Sequence, residues 1–148
     1  MGKTASLFSE EASANIVAAI AVAEEKTSAE VRVHIENTSG GDAMKAAKTW
    51  FHNLKMDETE NRNGVLIYIA LKDREFAIFG DEGIYSKEPQ SFWDGLAGNM
   101  QEDFSRGEFE KGLIAVIDKL GDELGRFFPS STQSNPNELS DEISHSDN

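Results

Sequence analysis

Gly80-Asp81-Glu82-Gly83 is the stretch of this chain best equipped for chemistry, because it sets two adjacent carboxylates between glycines that let a backbone turn closely. Hard divalent cations take about six to eight oxygens from carboxylates, amides, backbone carbonyls and water, which are the groups this segment offers. Asp81 and Glu82 are therefore candidate metal ligands. Glu30 and Asn63 become candidates if the fold carries them to the same place, and Asp94 stands behind them with Asp57 and Glu58. The metal expected is calcium, or magnesium. No single calcium loop is present: setting Thr59, Asn61, Asn63 and Gly64 on the helix-loop-helix pattern puts Ala70 where the closing glutamate is needed.

A hairpin must do the gathering. Val65 to Leu71 is a near-continuous apolar run rich in branched residues, as expected of a strand covered on both faces. Lys72, Asp73 and Arg74 make a polar turn, and Glu75 to Phe79 returns as a second strand. The turn of the chain brings residues 80–83 back beside Asn61, Arg62, Asn63 and Gly64. Upstream, Glu30 to Glu36 alternates strictly, with Val31, Val33 and Ile35 directed inward, and Asp42 caps a helix through Leu54. Strand, helix, strand implies a right-handed crossover and parallel strands, so Glu30 and Asn63 share one edge.

The opposite edge offers a rival site. In open α/β sheets ligands sit beyond the C-terminal ends of parallel strands, here residues 36–42 and 71–73, where backbone amides and Lys72 could hold a phosphate. No P-loop or dinucleotide glycine pattern supports it. His34 reads as a strand-surface histidine and His52 faces away from its helix's apolar stripe. His145 falls in the tail, and no serine is paired with any of the three.

The flanking elements are helical. Ser9 caps an alanine-rich helix to Glu25 that carries Ile16, Ile20 and Ala23 on one stripe; its acidic polar face suits core packing rather than a membrane surface. Pro89 precedes a helix with Phe92, Leu96, Met100 and Phe104 on one face and Trp93 alongside, interrupted by Gly95 and Gly98. Phe109, Leu113, Val116, Ile117, Leu120 and Leu124 trace a last helix ending near Pro129. The expected organisation is a flexible 1–8, one α/β domain over 9–129, and a disordered acidic tail over 130–148.

With no cysteine, disulfides, thiolate zinc sites and cysteine-nucleophile chemistry are excluded. The net charge of −13, from 27 acidic against 14 basic residues, argues against nucleic acid and anionic membranes as partners and favours a divalent cation. No stretch reads as a secretory signal or is long enough to span a bilayer, so a soluble, cytoplasmic monomer is expected, with a protein partner for its acidic surface as a further option.

Several stretches together resemble the TPM domain family, named from a thylakoid lumen protein, a photosystem repair protein and a receptor-modulating membrane protein. They are residues 27–33 (T-S-A-E-V-R-V), 62–67 (R-N-G-V-L-I), the pair Asp73-Arg74, 80–84 (G-D-E-G-I), and the F-x-x-G-x-F-x-x-G-L run from Phe104 to Leu113. The resemblance covers roughly Glu24 to Phe128. It implies a Rossmann-like three-layer α/β sandwich with a small mixed sheet and a β-α-β-β-α-α core. It also implies calcium binding in some members and a proposed acid phosphatase activity for the plant lumen member. Many members have G-Y-G where this chain has Gly80 to Gly83, an acidic loop that would make its metal site its own. The leading expectation is a calcium-binding domain with a structural or regulatory role. The alternatives are a metal-assisted phosphoester hydrolase using the same carboxylates with Arg62 or Arg74, and an acidic interaction adaptor.

Overall fold

A computed structural model of the chain describes residues 9–130 and 143–146. Helix α1, Glu10–Lys26, starts where Ser9 accepts a hydrogen bond from the Ala12 amide at 3.0 Å, with Glu10 and Glu11 in its first turn. Strand β1, Glu30–Glu36, follows, then helix α2, Ala43–Asn53, capped by Asp42 through the Lys45 amide. A single 3-10 turn at Met56–Glu58 leads to strands β2, Gly64–Ala70, and β3, Glu75–Gly80. A one-turn helix α3, Glu82–Tyr85, precedes the long helices α4, Gln90–Ser105, and α5, Phe109–Phe127. The mixed α/β class is as expected.

β1 and β2 run parallel, with Glu30 opposite Gly64 and Val33 opposite Ile67, and β3 returns antiparallel with Gly80 opposite Val65. Alternation along these strands feeds two cores. Val31, Val33, Ile35, Val65, Ile67, Ile69 and Ile78 meet the apolar faces of α1, α4 and α5. Leu66, Tyr68, Ala70 and Ala77 meet α2 and the 3-10 turn through Ala47, Phe51 and Met56. Helices thus cover both faces, and every residue of β2 is buried, which is why its sequence is an uninterrupted apolar run.

Two expectations change. His34 is buried rather than on the surface: its ring stacks on Trp50 at a centroid distance of 4.0 Å and its Nδ1 lies 2.6 Å from Ser144 Oγ. The polar side of β1 alternates toward α2, so a helix covers what the sequence reads as solvent-facing. In the tail, Ser144–His145 forms β4, paired parallel to β1, so the sheet order is β3-β2-β1-β4. The Ser146 amide donates to Ile35 O at 2.9 Å, and Ile143 packs against the core. Ordered pairing replaces the expected disorder at residues 143–146; the expected flexible start at 1–8 and disordered stretches at 131–142 and 147–148 lie outside the described residues. Among the described residues no helix is long and apolar enough to cross a membrane.

Candidate functional site

The parallel register does bring Glu30, Asn63 and Asp81 to one edge. The Glu30 amide donates to Asn63 O at 3.2 Å, the Asp81 amide to Gly64 O at 2.9 Å, and the Gly83 amide to Arg62 O at 2.9 Å. All three side chains are buried, with Asp81 only 3% exposed. Yet Asp81 is already committed. Its carboxylate takes Arg62 Nε at 2.7 Å and Nη2 at 2.8 Å, and its Oδ1 also accepts the Glu82 amide at 2.8 Å as the cap of α3. The hydrogen bond to Asp81 raises the pKa of Arg62. A guanidinium therefore stands where a metal ion would have to stand.

The other candidates do not complete a shell there. Glu82 leaves its side chain 74% exposed and touches only the third nitrogen of Arg62, at 3.2 Å. Asp94 sits on the exposed side of α4 and accepts from Gln90 at 3.0 Å, while Asp57 pairs with His52 at 2.8 Å. Among the described residues no three His, Asp or Glu side chains are grouped to hold a metal ion. The glycines serve close packing instead of turning carbonyls inward. Neither has a positive φ, and a Cβ on Gly83 would lie 2.2 Å from Asn61 O. The arrangement does not fit calcium in its present form.

The C-terminal ends of β1 and β2 carry a different arrangement. Ser39, in the turn after β1, gives its amide to Asp73 Oδ2 at 2.7 Å. Its hydroxyl oxygen lies 3.1 Å from that same Asp73 oxygen and 2.6 Å from Glu75 Oε1. Neither Asp73 nor Glu75 makes an ion pair among the described residues. Close by, the buried Tyr68 hydroxyl donates to Glu36. Burial first, then Glu36, then the charges of Asp73 and Glu75 push its pKa far up, so it stays protonated. Of the backbone donors at this end, the Ser39 amide goes to Asp73, the Lys45 amide to the Asp42 cap and the Lys72 amide to Asn37 O. The sequence places Ser39 and Asp73 within the strand-end stretches 36–42 and 71–73, as a phosphate cradle rather than as cation ligands, and Glu75 only as the start of a strand. The usable signal was the strand-end rule for parallel sheets.

A three-layer sandwich around a parallel pair and a hairpin, with carboxylate-bearing loops at both strand ends, defines a small α/β domain with no cysteine chemistry. The model of the TPM domain matches residues 2–123, and the chain belongs to that family. It is similar to the BA42 protein of the psychrophilic bacterium Bizionia argentinensis, whose NMR structure shares 42% identity over 94% of this chain and 95% of that one at a TM-score of 0.87. The N-terminal domain of the cg2496 protein from Corynebacterium glutamicum is similar in fold alone, at 16% identity and a TM-score of 0.64 over 88% of this chain and 78% of that one. No curated protein matches.

Proposed function

We propose that this TPM domain binds a hard divalent cation, calcium or magnesium, beyond the C-terminal ends of β1 and β2, with Asp73 and Glu75 as its carboxylates and Ser39 as a neutral oxygen. One observation carries the reading. A hydroxyl has a single proton to donate, yet Ser39 Oγ lies within hydrogen-bond distance of two carboxylates that make no ion pair among the described residues. Whichever carboxylate lacks the proton faces an oxygen lone pair. A cation between them would relieve that repulsion, and a site of two carboxylates completed by water suits magnesium or weakly held calcium. The bound ion would tie the β1–α2 turn to the β2–β3 turn, a structural or regulatory role.

Amide NMR spectra of metal-free protein titrated with calcium, then magnesium, test this. Saturable shifts at Ser39, Asp73 and Glu75, weakened roughly tenfold or more by Asp73→Asn and untouched by Asp81→Asn, are expected. Shifts confined to residues 80–83 and Glu30 would move the site back to the Arg62 edge. Silence at millimolar metal would remove the cation and, with it, metal-assisted phosphoester hydrolysis; the acidic surface would then be read as a protein-facing one.

A further inference from the structure

A cavity of about 580 Å³ opens on the α4–α5 side of the sheet, behind the β2–β3 turn. That is within the size range of small-molecule sites. Its walls are aromatic: Phe76 from β3, Phe104 from the end of α4 and Phe109 from the start of α5, with ring centroids 5.6 Å apart for Phe76 and Phe104 and 5.0 Å for Phe104 and Phe109. All three are only partly buried, so apolar ring surface stays open to the cavity. Gln101 and Ser105 line the α4 wall, and Arg74 lies in the turn at its margin.

The polar groups select a charge. Arg74 is exposed and makes neither an ion pair nor a side-chain hydrogen bond among the described residues. Arg62, Arg106 and Arg126 are each paired with acids, so on a chain of net charge −13 an uncommitted guanidinium beside an aromatic cavity is a distinctive combination. Glu75 also borders the cavity, but strand alternation turns it away from Phe76, and its carboxylate is with Ser39. The 19-residue helix α5 begins at the cavity without a side-chain cap hydrogen bond, and Glu108 and Glu110 set carboxylates at that end, so the positive charge at the cavity margin comes from Arg74.

We propose that this cavity binds a small amphipathic acid, with an aromatic or branched apolar body among Phe76, Phe104 and Phe109 and its carboxylate on Arg74. Recognition of the acid requires no bound cation, although Arg74 lies between Asp73 and Glu75 in the chain. Recognition rests on apolar burial against ring faces and on a charge-assisted, two-pronged contact that guanidinium makes with carboxylate. A free arylalkyl acid and the last residue of a peptide both carry these groups.

The test is an amide NMR titration in the presence of a chelator, so that no cation can bridge. The probes are 3-phenylpropionate, its neutral amide 3-phenylpropionamide, and a hexapeptide ending in phenylalanine. The acid should shift Arg74, Phe76, Gln101, Ser105 and Gly107 saturably, and the neutral amide should bind roughly tenfold or more weakly. Arg74→Asn should weaken the acid to the level of its amide. Asparagine suits that position because Arg74 has a φ of 54°. Gln101→Trp, on the exposed face of α4, should block binding while the rest of the spectrum stays in place. Tenfold tighter binding by the peptide would assign the site to peptide ends, and tighter binding by the free acid to metabolite-sized ligands. Equal binding of acid and amide, no saturation at millimolar acid, or binding indifferent to Gln101→Trp would each overturn the proposal.

Discussion

Arg62 and Asp81, 19 positions apart, meet because a hairpin folds one loop onto the other, and the guanidinium grips the buried carboxylate at 2.7 and 2.8 Å. Asp81 has a side chain 5% exposed, whereas that of Arg62 is 43% exposed. The pair is thus asymmetric. Removing the arginine strands a charge away from water, while removing the aspartate frees a charge that water can reach.

Arg62→Ala should therefore destabilise the fold, with Arg62→Lys recovering less than half of the loss, because an ammonium cannot make the two-pronged contact. Urea unfolding reads this as a lower midpoint at unchanged slope. An unchanged midpoint would reduce the pair to a surface ion pair.

Glycine substitutions should split by environment. A Cβ at Gly83 would meet Asn61 O at 2.2 Å and Arg62 O at 2.6 Å, both backbone atoms, while one at Gly98 meets nothing within 4 Å. Gly83→Ala should cost about 1–3 kcal/mol or more, since backbone must move. Gly98→Ala, inside α4, should gain about 0.5–1 kcal/mol from helix propensity. Thermal unfolding of the two variants in one buffer gives opposite shifts; equal signs would contradict these packing distances.

The third expectation concerns pH. Burial, then a hydrogen bond and charge repulsion from Glu123, push Glu88 up from 4.5 to about 7, while Glu123 is held down by Glu88 and by Arg126 at 2.9 Å. A raised carboxyl pKa means that the folded state holds the proton more tightly than the unfolded one. The Glu88 contribution is thus fully present below pH 4.5 and lost as pH rises to about 7. Glu88→Gln keeps the neutral form at every pH, so its advantage over the parent should grow from near zero at pH 4.5 to about 1–2 kcal/mol above neutrality, after discounting for solvent screening. A mutant-minus-parent difference that stays flat between those limits would deny the shared proton.

How legible was this in the sequence? The uninterrupted run of β2, the alternation of β1 and the Ser9 and Asp42 caps are local patterns whose physics lies within a few residues, and each reappears in the fold. Parallel pairing of β1 and β2 also followed, since a helix between two strands leaves few other topologies. The convergence of Glu30, Asn63 and Asp81 was a correct consequence of that topology. What those side chains do once together was not readable, because Arg62 could as well have pointed to water.

Sequence by itself determined the four long helices, the three central strands, the sheet core and the exclusion of cysteine chemistry, because propensity, periodicity and composition are properties of short stretches. Tertiary structure alone decided which carboxylates are neutralised. It matched Asp81 with Arg62, set Ser39 between Asp73 and Glu75, and left Arg74 beside three phenylalanines. It also buried His34 under Trp50 and added β4 at the sheet's edge. Electrostatic partnership depends on distances of a few ångströms between residues far apart in the chain, and only the folded packing fixes those distances.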